Sequence, residues 1–225
     1  KYLRGYLGQS LDHIHRIGEF IKEQKADIVG LVEVDLGSFR TKETNQAKLL
    51  GELTGKHYVS QYKYEENSKY MKFPIMRKQG NALLSSEKII AQRFYYLEKG
   101  TKKLVIEMET EEVTIFLVHL ALGGKTRLRQ MVELNNMIEN CKKPFIVAGD
   151  FNLLWGKEEI ELFLKAGKLQ NVNNRREPTF PSWAPKKELD FILCSENIEI
   201  KDYKVLRNTL SDHLPILLDF EIKKN

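Results

Sequence analysis

Apolar residues recur at helical spacing in four segments of the chain, and the first segment is the clearest. Its apolar positions are Leu11, Ile14, Ile17, Phe20 and Ile21. Residues three and four apart lie on one face of a helix, so this spacing predicts an amphipathic helix over about residues 11–24. Similar patterns predict helices over residues 45–53, 126–141 and 158–166, and Gly55 is expected to end the second of them.

Shorter apolar runs between these helices predict strands. The predicted strands cover residues 26–34, 81–84, 89–97, 103–108, 113–120, 145–150, 189–194, 198–206 and 216–222. Two polar segments, residues 62–79 and 171–187, contain prolines and follow neither period, so both are predicted to be loops. Strands mixed with a few helices predict an α/β domain whose helices cover stacked sheets.

Polar side chains stand at the ends of four of these apolar runs. Asp150 and Asn152 follow one run, Glu33 follows another, Asp190 opens a third and Asp212 precedes a fourth. Any one of them is also typical of a strand that enters an Asx turn. Four together predict one oxygen-rich site where strand ends converge. Oxygen ligands with few thiolates suit Mg²⁺ or Mn²⁺ better than zinc.

Length and composition narrow the picture further. The 225 residues, 42% hydrophobic and 30% charged, predict one domain over residues 1–225. Two cysteines, Cys141 and Cys194, are too few for a disulfide framework and are expected to be small buried side chains. No apolar run reaches the roughly 20 residues of a membrane span, and no signal peptide is visible. The compartment is unknown, with the cytoplasm favoured, and a monomer is expected.

The net charge of +5 favours an anionic partner without identifying it. Much of this charge is expected to be ordinary solvated surface. Arg127 and Arg129 stand out because they follow His119 closely in the sequence. Arg127 is therefore a candidate for binding a substrate phosphate.

Six short segments occur in a characteristic order. They are Ile28–Asp35, Gly80–Ser85, Val118–Leu120, Gly149–Asn152, Leu189–Ile192 and Ser211–Pro215. The chain thereby resembles the endonuclease/exonuclease/phosphatase superfamily, which has the pancreatic deoxyribonuclease-like fold, and the resemblance covers nearly the whole chain. It implies a four-layer α/β/β/α sandwich, two packed mixed β-sheets flanked by helices. It also implies cleavage of phosphoester bonds with a divalent metal, Mg²⁺ or Mn²⁺.

The resemblance implies roles for the acidic and amide side chains. Glu33 would hold the metal, and Asp212 would support the metal site. Asp150 would position or deprotonate the attacking water, and Asn152 would hold that water or a phosphate oxygen. Asn81 would line the substrate site, although it could instead cap a strand.

The resemblance also implies roles for two histidines. His213 would lie beside the scissile phosphate, oriented by Asp190, because a carboxylate bonded to one imidazole nitrogen fixes the tautomer. His119 would contact phosphate or assist the leaving oxygen, although a histidine in an apolar strand could be a satisfied core residue. Asp35 and Arg40 are expected to pair with each other rather than to bind substrate.

The sequence departs from the family pattern at its beginning. Members usually begin with a strand that carries an asparagine near the metal site, but residues 1–10 contain no asparagine. The first strand is therefore expected to be missing or displaced, which puts the activity in doubt more than the family.

Three functions remain open at this point. The first is a nuclease that cleaves phosphodiester bonds of nucleic acid by in-line attack of water. The second is a phosphatase or phosphodiesterase acting on a lipid or inositol-phosphate headgroup, suggested by His119 and by the aromatic segment 62–73. The third is a catalytically silent binding domain. The sequence does not fix the substrate, the metal count, the oligomeric state or the compartment.

Overall fold

The computed structural model describes residues 11–154 and 158–223. The helices are α1 (Leu11–Gln24), α2 (Gln46–Thr54), α3 (Gly124–Ile138) and α4 (Glu158–Gly167). The strands are β1 (Ile28–Asp35), β2 (His57–Tyr62), β3 (Gln79–Ser85), β4 (Ala91–Tyr96), β5 (Leu104–Glu109), β6 (Thr114–His119), β7 (Phe145–Asp150), β8 (Leu169–Asn171), β9 (Asp190–Ser195), β10 (Ile198–Val205) and β11 (Ile216–Ile222). None of the helices described is long and apolar enough to cross a membrane.

The largest sheet has six strands in the order β4-β5-β6-β7-β9-β8. Its strands pair antiparallel except for β6 and β7, which run parallel with helix α3 as their crossover. A three-stranded antiparallel sheet has the order β1-β3-β2, and β10 pairs with β11 in a third sheet.

Alternating side chains of the six-stranded sheet build cores on both of its faces. On one face, Phe116 and Val118 of β6 pack with Met131 of α3 and Phe163 of α4. On the other face, a second cluster joins β5 and β6 to both smaller sheets. Its members include Ile106, Leu117, Val59, Leu83, Ile198 and Phe220. A two-residue period with both faces apolar is what a sheet buried between two layers requires.

The outer face of the three-stranded sheet is covered by the first two helices. Ile14 and Ile21 of α1 pack with Leu50 of α2 and Leu84 of β3. The layers therefore run helix, sheet, sheet, helix, and the predicted α/β/β/α sandwich is confirmed. In the described residues the inner layer opposite the six-stranded sheet consists of two separate antiparallel sheets, so only the six-stranded sheet is mixed.

Most predicted elements lie within a few residues of the observed ones. Asn45 caps α2 by accepting a hydrogen bond from Lys48 N (3.1 Å), and Gly55 ends that helix in the left-handed conformation. The third helix was placed too late, because it begins at Gly124 behind Gly123 rather than at Thr126. Strands β2 and β8 were not predicted, and β8 has only three residues, too few to show a period.

The segment predicted to be a loop at residues 62–79 is partly ordered. It contains two short 3-10 helices, Lys69–Lys72 and Met76–Lys78. Tyr64 in this segment is buried and stacks on Tyr70. The prediction of a missing first strand concerns residues 1–10, which lie outside the described residues.

Candidate active site

Three adjacent strands of the six-stranded sheet bring their polar ends into register. His119 is the last residue of β6, Asp150 the last of β7 and Asp190 the first of β9. His119 pairs with Asp150 across the parallel ladder, and Asp150 pairs with Asp190 across the antiparallel one. Strand pairing alone therefore places these three side chains in a row at one edge of the sheet.

Asp150 is fixed by contacts on both carboxylate oxygens. Its Oδ1 accepts a hydrogen bond from Asn152 N (2.8 Å), and its Oδ2 lies 3.2 Å from His119 Nε2. Asn152 has a positive φ of 53°, and its side-chain amide donates to Leu120 O (2.8 Å). Asn152 thus ties the end of β7 to the end of β6, and its side chain is held inside the site.

Gly149 allows β6 and β7 to approach at this point. Its φ is +139°, and a Cβ at this position would lie 1.9 Å from Val118 O. No side chain can be accommodated there, which accounts for the glycine before Asp150.

His213 and Asp190 form a hydrogen-bonded pair. His213 Nδ1 lies 2.8 Å from Asp190 Oδ2, and Thr179 Oγ1 donates to the same oxygen (2.5 Å). Phe180 packs against the imidazole, with ring centroids 4.8 Å apart. The carboxylate and the aromatic ring fix the imidazole, so Nε2 is the nitrogen left for a substrate.

The two histidines of the site have pKa values shifted in opposite directions. Burial opposes protonation of His213, but the hydrogen bond and negative charge of Asp190, aided by Asp150 and Asp212, raise its pKa to about 9. Burial lowers the pKa of His119, although Asp150 opposes that shift. At neutral pH His213 is therefore a cation, and the neutral ring is favoured at His119.

Glu33 enters the site from the three-stranded sheet. A register shift between Leu31 and Val34 marks a bulge in β1, where Glu33 has a φ of 59°. Its backbone N–H donates to the side chain of Asn81 in β3 (Oδ1, 3.1 Å) instead of to the backbone of that strand. The bulge turns the Glu33 carboxylate toward the six-stranded sheet, where its Oε1 lies 3.8 Å from His119 Nδ1.

Asn81 is buried, and its side chain holds the Glu33 backbone. The sequence allowed Asn81 to be either a substrate contact or a strand cap. In the structure its side-chain amide supports the backbone of Glu33, the residue expected to hold the metal.

Two lysines that the sequence did not single out surround the Glu33 carboxylate. Lys63 Nζ lies 2.7 Å from Glu33 Oε1, and Lys102 Nζ lies 3.9 Å from the same oxygen. Lys102 Nζ also contacts His119 Nε2 at 2.5 Å. Burial alone would raise the pKa of Glu33, but Lys63, His119 and Lys102 lower it to about 2. Glu33 is therefore ionised over the whole useful pH range.

The arrangement of side chains at this sheet edge agrees with the protein family that the sequence matches. The model of the Endonuclease/Exonuclease/phosphatase family matches residues 4–213. The chain belongs to this family. Its members include nucleases and phosphatases, hydrolases that act on phosphoester bonds.

The chain matches curated relatives over about half of its own length. A UPF0294 protein of Yersinia pseudotuberculosis is 31% identical over 112 residues, which are 48% of this chain and 42% of the relative. A UPF0294 protein of Klebsiella pneumoniae is 28% identical over 116 residues, 48% of this chain and 40% of the relative. The chain spans less than half the length of these relatives.

Solved structures of the family share the fold over nearly the whole chain. A family protein of Leptotrichia buccalis has a TM-score of 0.76 at 19% identity, with 94% of this chain and 93% of that one covered. A mannosyl-6-phosphatase of Bacteroides thetaiotaomicron has a TM-score of 0.73 at 17% identity (94% and 91% covered). The human nocturnin catalytic domain with bound sulfate has a TM-score of 0.68 at 23% identity (94% and 86% covered). At these identities the likeness shows the fold alone.

A divalent metal is expected from the resemblance, and Glu33, which pairs with Lys63 in this structure (2.7 Å), is the carboxylate that could hold Mg²⁺ in a site with few protein ligands. Within residues 11–154 and 158–223, no three acidic, histidine or cysteine side chains converge as a metal cage. Mg²⁺ commonly takes only one or two carboxylates and completes its shell with water and substrate phosphate. Glu33 offers an ionised, partly exposed carboxylate. Beside it lies the buried His119 Nδ1, which has no hydrogen-bond partner among the described residues.

The other metal candidate, Asp212, lies on the loop before β11, next to His213. Its side chain is exposed, and its Oδ1 accepts a hydrogen bond from Ser211 Oγ (3.2 Å). Its backbone carbonyl accepts from Ser182 N (2.7 Å), so the loop before β11 is attached to the loop before β9. Asp212 contributes negative charge at His213.

Arg127, a predicted phosphate ligand, is buried behind the site. Its guanidinium makes a two-bond ion pair with Glu159 (2.7 and 2.9 Å). Its Nη1 donates to three carbonyl oxygens, those of Ala121, Leu122 and Asn152 (3.1, 2.9 and 2.9 Å). In this position Arg127 holds the loops after β6 and β7 together. None of these contacts directs a guanidinium N–H at the site.

Asp35 and Arg40 pair as the sequence predicted, with Arg40 Nη2 3.3 Å from Asp35 Oδ2. Lys63 and Lys102 could not be found from the sequence. Both lie in irregular segments between strands, where neither a motif nor a period distinguishes one lysine from its neighbours.

Proposed function

We propose that the protein is a divalent-metal-dependent phosphoester hydrolase, and that it cleaves phosphodiester bonds of nucleic acid by in-line attack of water. The observation that carries the proposal is the row of His119, Asp150 and Asp190 at one sheet edge, with His213 bonded to Asp190 and Glu33 facing His119. Few structural needs account for so many ionisable side chains in one partly buried site.

Asp150 is suited to take the proton of the attacking water. Burial would raise its pKa, but contacts with His119 and the charge of His213 lower it, so the carboxylate stays ionised at neutral pH. Its second oxygen is held by Asn152 N, which fixes the carboxylate in one orientation. An ionised, oriented carboxylate is what a general base requires.

His213, Lys63 and Lys102 are suited to offset the charge of the phosphate. Phosphoryl transfer depends on neutralising the non-bridging oxygens and the leaving oxygen. Protonated His213 would donate from Nε2 to one of these oxygens. Glu33, with Asp212 supporting, would hold Mg²⁺ or Mn²⁺, which supplies Lewis acidity at the phosphate when bound.

A substrate panel tests this proposal. Labelled single- and double-stranded DNA and RNA are incubated with the protein and Mg²⁺, next to Asp150→Asn and His213→Ala. We expect each substitution to lower the cleavage rate by about 10²–10⁴, the usual contribution of acid–base groups. Two exposed residues provide matched controls, Asp202→Asn and His57→Ala, which should cleave at the normal rate. Cleavage that survives in both site variants, or none by the parent protein, contradicts the nuclease proposal.

A phosphatase or phosphodiesterase acting on a small headgroup is the second candidate. The segment at residues 62–73 supports it, because Phe73 is exposed there and could meet a lipid interface, whereas Tyr64 is buried and stacks on Tyr70. The similar fold of a mannosyl-6-phosphatase also supports it. Phosphate release from a panel of inositol, lipid and sugar phosphates, with DNA and RNA left intact, would favour this candidate. A protein inert toward both panels would favour the catalytically silent binding domain.

A further inference from the structure

One carboxylate oxygen of the candidate active site has three side-chain nitrogens around it. Glu33 Oε1 lies 2.7 Å from Lys63 Nζ, 3.8 Å from His119 Nδ1 and 3.9 Å from Lys102 Nζ. Of these nitrogens, Lys63 Nζ alone is within hydrogen-bond distance of the oxygen. The charge of the Glu33 carboxylate is therefore already offset by two ammonium groups, one of them in direct contact.

The position of the Lys63 ammonium is fixed by strand pairing and burial. Lys63 follows β2 directly, and its backbone N–H donates to Gln79 O in β3 (2.9 Å). Strand β1, which carries Glu33, pairs with β3 on the other side. Lys63 is only 5% exposed, and a buried ammonium needs a partner that compensates its charge. Glu33 is that partner, and the two side chains meet across β3.

Two neutral groups also lie close to the Lys63 ammonium. Gln79 Oε1 accepts a hydrogen bond from Nζ (3.4 Å), and the ring centroid of Tyr64 lies 5.4 Å from Nζ. An amide oxygen and an aromatic face both stabilise a cation. The ammonium can therefore leave Glu33 without losing every favourable contact that it has.

A divalent metal on Glu33 would meet the Lys63 ammonium on the same carboxylate. Mg²⁺ binds carboxylate oxygens at about 2.0–2.1 Å and requires nearly ideal octahedral positions for its other ligands. A dication and an ammonium on one partly buried carboxylate repel each other, and salt screens such a pair poorly. Residues 11–154 and 158–223 contain no cluster of three acidic, histidine or cysteine ligands that would outweigh this repulsion.

We propose that Lys63 and the divalent metal exclude each other at Glu33, so that Lys63 determines how tightly the metal binds. The inference rests on the proposed metal-dependent hydrolysis and gives Lys63 a role before any substrate arrives. Each metal ion that binds must break the Lys63–Glu33 ion pair, which weakens the observed metal affinity. The released ammonium keeps Gln79 and Tyr64 as neighbours and becomes available to a substrate phosphate.

Calorimetric titration of Mg²⁺ and Mn²⁺ into the full chain, with no substrate present, tests this inference. Lys63→Met removes the ammonium and keeps an apolar side chain of similar length, whereas Lys63→Arg keeps a cation at the same place. Lys102→Met removes a charge that lies near Glu33 but beyond hydrogen-bond distance, so it measures the general effect of charge. Lys88→Met, at an exposed position, is the matched control.

We expect Lys63→Met to lower the Kd of the metal about tenfold or more, because like charges placed together are costly. Lys102→Met should lower it less, Lys63→Arg should bind as weakly as the parent, and Lys88→Met should equal the parent. Adding Glu33→Gln to Lys63→Met should abolish the gain. The inference is overturned if Lys63→Met binds metal no more tightly than the parent, or if Lys102→Met gains as much.

Nuclear magnetic resonance of the parent protein gives a second measurement that does not depend on the folding of Lys63→Met. The Cε and Nζ signals of Lys63, assigned by their loss in Lys63→Arg, should shift as diamagnetic Mg²⁺ is added, while those of Lys88 stay in place. Lys63 signals that do not move at saturating Mg²⁺ would show that the ion pair persists and would overturn the inference. Neither measurement uses a substrate. Failure of the parent chain to hydrolyse any phosphoester would therefore overturn the proposed function and leave these binding results as they are.

Discussion

His119 and His213 show how the environment gives one residue type two chemical states. His119 is buried at the end of a central strand, so desolvation lowers its pKa. His213 is half-buried, and bonding to Asp190 raises its pKa to about 9. One histidine therefore favours the neutral ring and the other the cation, so in the proposed reaction the two would act differently on a phosphate.

The raised pKa of His213 predicts a limit to activity at alkaline pH. If the protonated ring contacts the phosphate, kcat/KM should be steady through neutral pH and fall as the pH rises through about 9. Asp190→Asn removes the main group that raises the pKa, so the decline should move toward the ordinary histidine range near 6.5. The pH profile of kcat/KM for both proteins measures this. Identical alkaline limbs in the two proteins would contradict the assignment of His213.

The same shift predicts a pH-dependent contribution to stability. A pKa higher in the folded than in the unfolded state means that the folded protein binds the proton more tightly. The stabilisation is complete below the unfolded value of about 6.5 and is lost as pH rises through about 9. The free energy of unfolding of the parent protein should therefore fall by about 3 kcal/mol over this interval. In urea titrations at several pH values, the free energy of unfolding of His213→Gln should depend less on pH than that of the parent protein. Equal pH dependence in the two proteins would contradict this prediction.

Single residues also show what the sequence could and could not predict. Asp190 and His213 were paired in advance because both belong to distinctive short motifs. Lys63 and Lys102 were missed because their role depends on where two irregular segments cross the Glu33 carboxylate, which no local pattern records. Arg127 was offered as a phosphate ligand because of its place in the sequence, but its burial depends on the position of Glu159 in another helix.

At the scale of elements, the register of the strand pairs places most of the site residues next to one another. The ends of β6, β7 and β9 align because each residue of a ladder has a fixed partner. Arg127 then joins the loops after β6 and β7 to α4 through three carbonyls and Glu159. Removing one member of such a buried pair leaves the other charge without compensation.

Arg127→Met should therefore destabilise the protein by about 3–5 kcal/mol, as expected for a broken buried ion pair. Combining it with Glu159→Met should recover part of the loss, because the uncompensated carboxylate is removed as well. Arg129→Met, at an exposed position of the same helix, should change the stability by less than about 0.5 kcal/mol. Chemical unfolding of the four proteins measures this. A loss no larger for Arg127→Met than for Arg129→Met would show that the observed contacts contribute little.

Elements were easier to predict than their arrangement into sheets. Periodicity located β5, β6 and β7 within one or two residues, since their apolar runs are long. It could not show that the inner layer opposite the six-stranded sheet is divided into two sheets, because hydrogen-bond partners distant in sequence leave no local pattern. The bulge in β1 that redirects Glu33 was equally invisible, since its residues look like any other strand.

At the scale of the whole molecule, the sandwich brings two sheets face to face so that each contributes part of one site. Glu33 comes from the three-stranded sheet, whereas Asp150 and His119 come from the six-stranded sheet. The shared core between the sheets fixes the distance from one set to the other. The site is therefore a property of the packed layers, and it is absent from either sheet alone.

Metal binding across this interface should be visible as thermal stabilisation. A ligand that binds only the folded state stabilises it by about 2.7 kcal/mol at a concentration 100 times its Kd. Mg²⁺ or Mn²⁺ should raise the Tm of the parent protein and of Asp202→Asn. The Tm of Glu33→Gln should change little. Differential scanning calorimetry with and without EDTA measures this. An equal rise in Tm in all three proteins would place the ion somewhere other than Glu33.

The most direct measurement is a double-mutant cycle across the two sheets. The value of kcat/KM, on whichever phosphoester the substrate panel identifies, is determined for the parent, Glu33→Gln, His213→Ala and the double variant. Groups that act on one phosphate as a unit are strongly non-additive, so the double variant should lose little more activity than the more damaging single variant. Losses that multiply in the double variant would show that Glu33 and His213 serve separate places and would contradict a single hydrolytic centre.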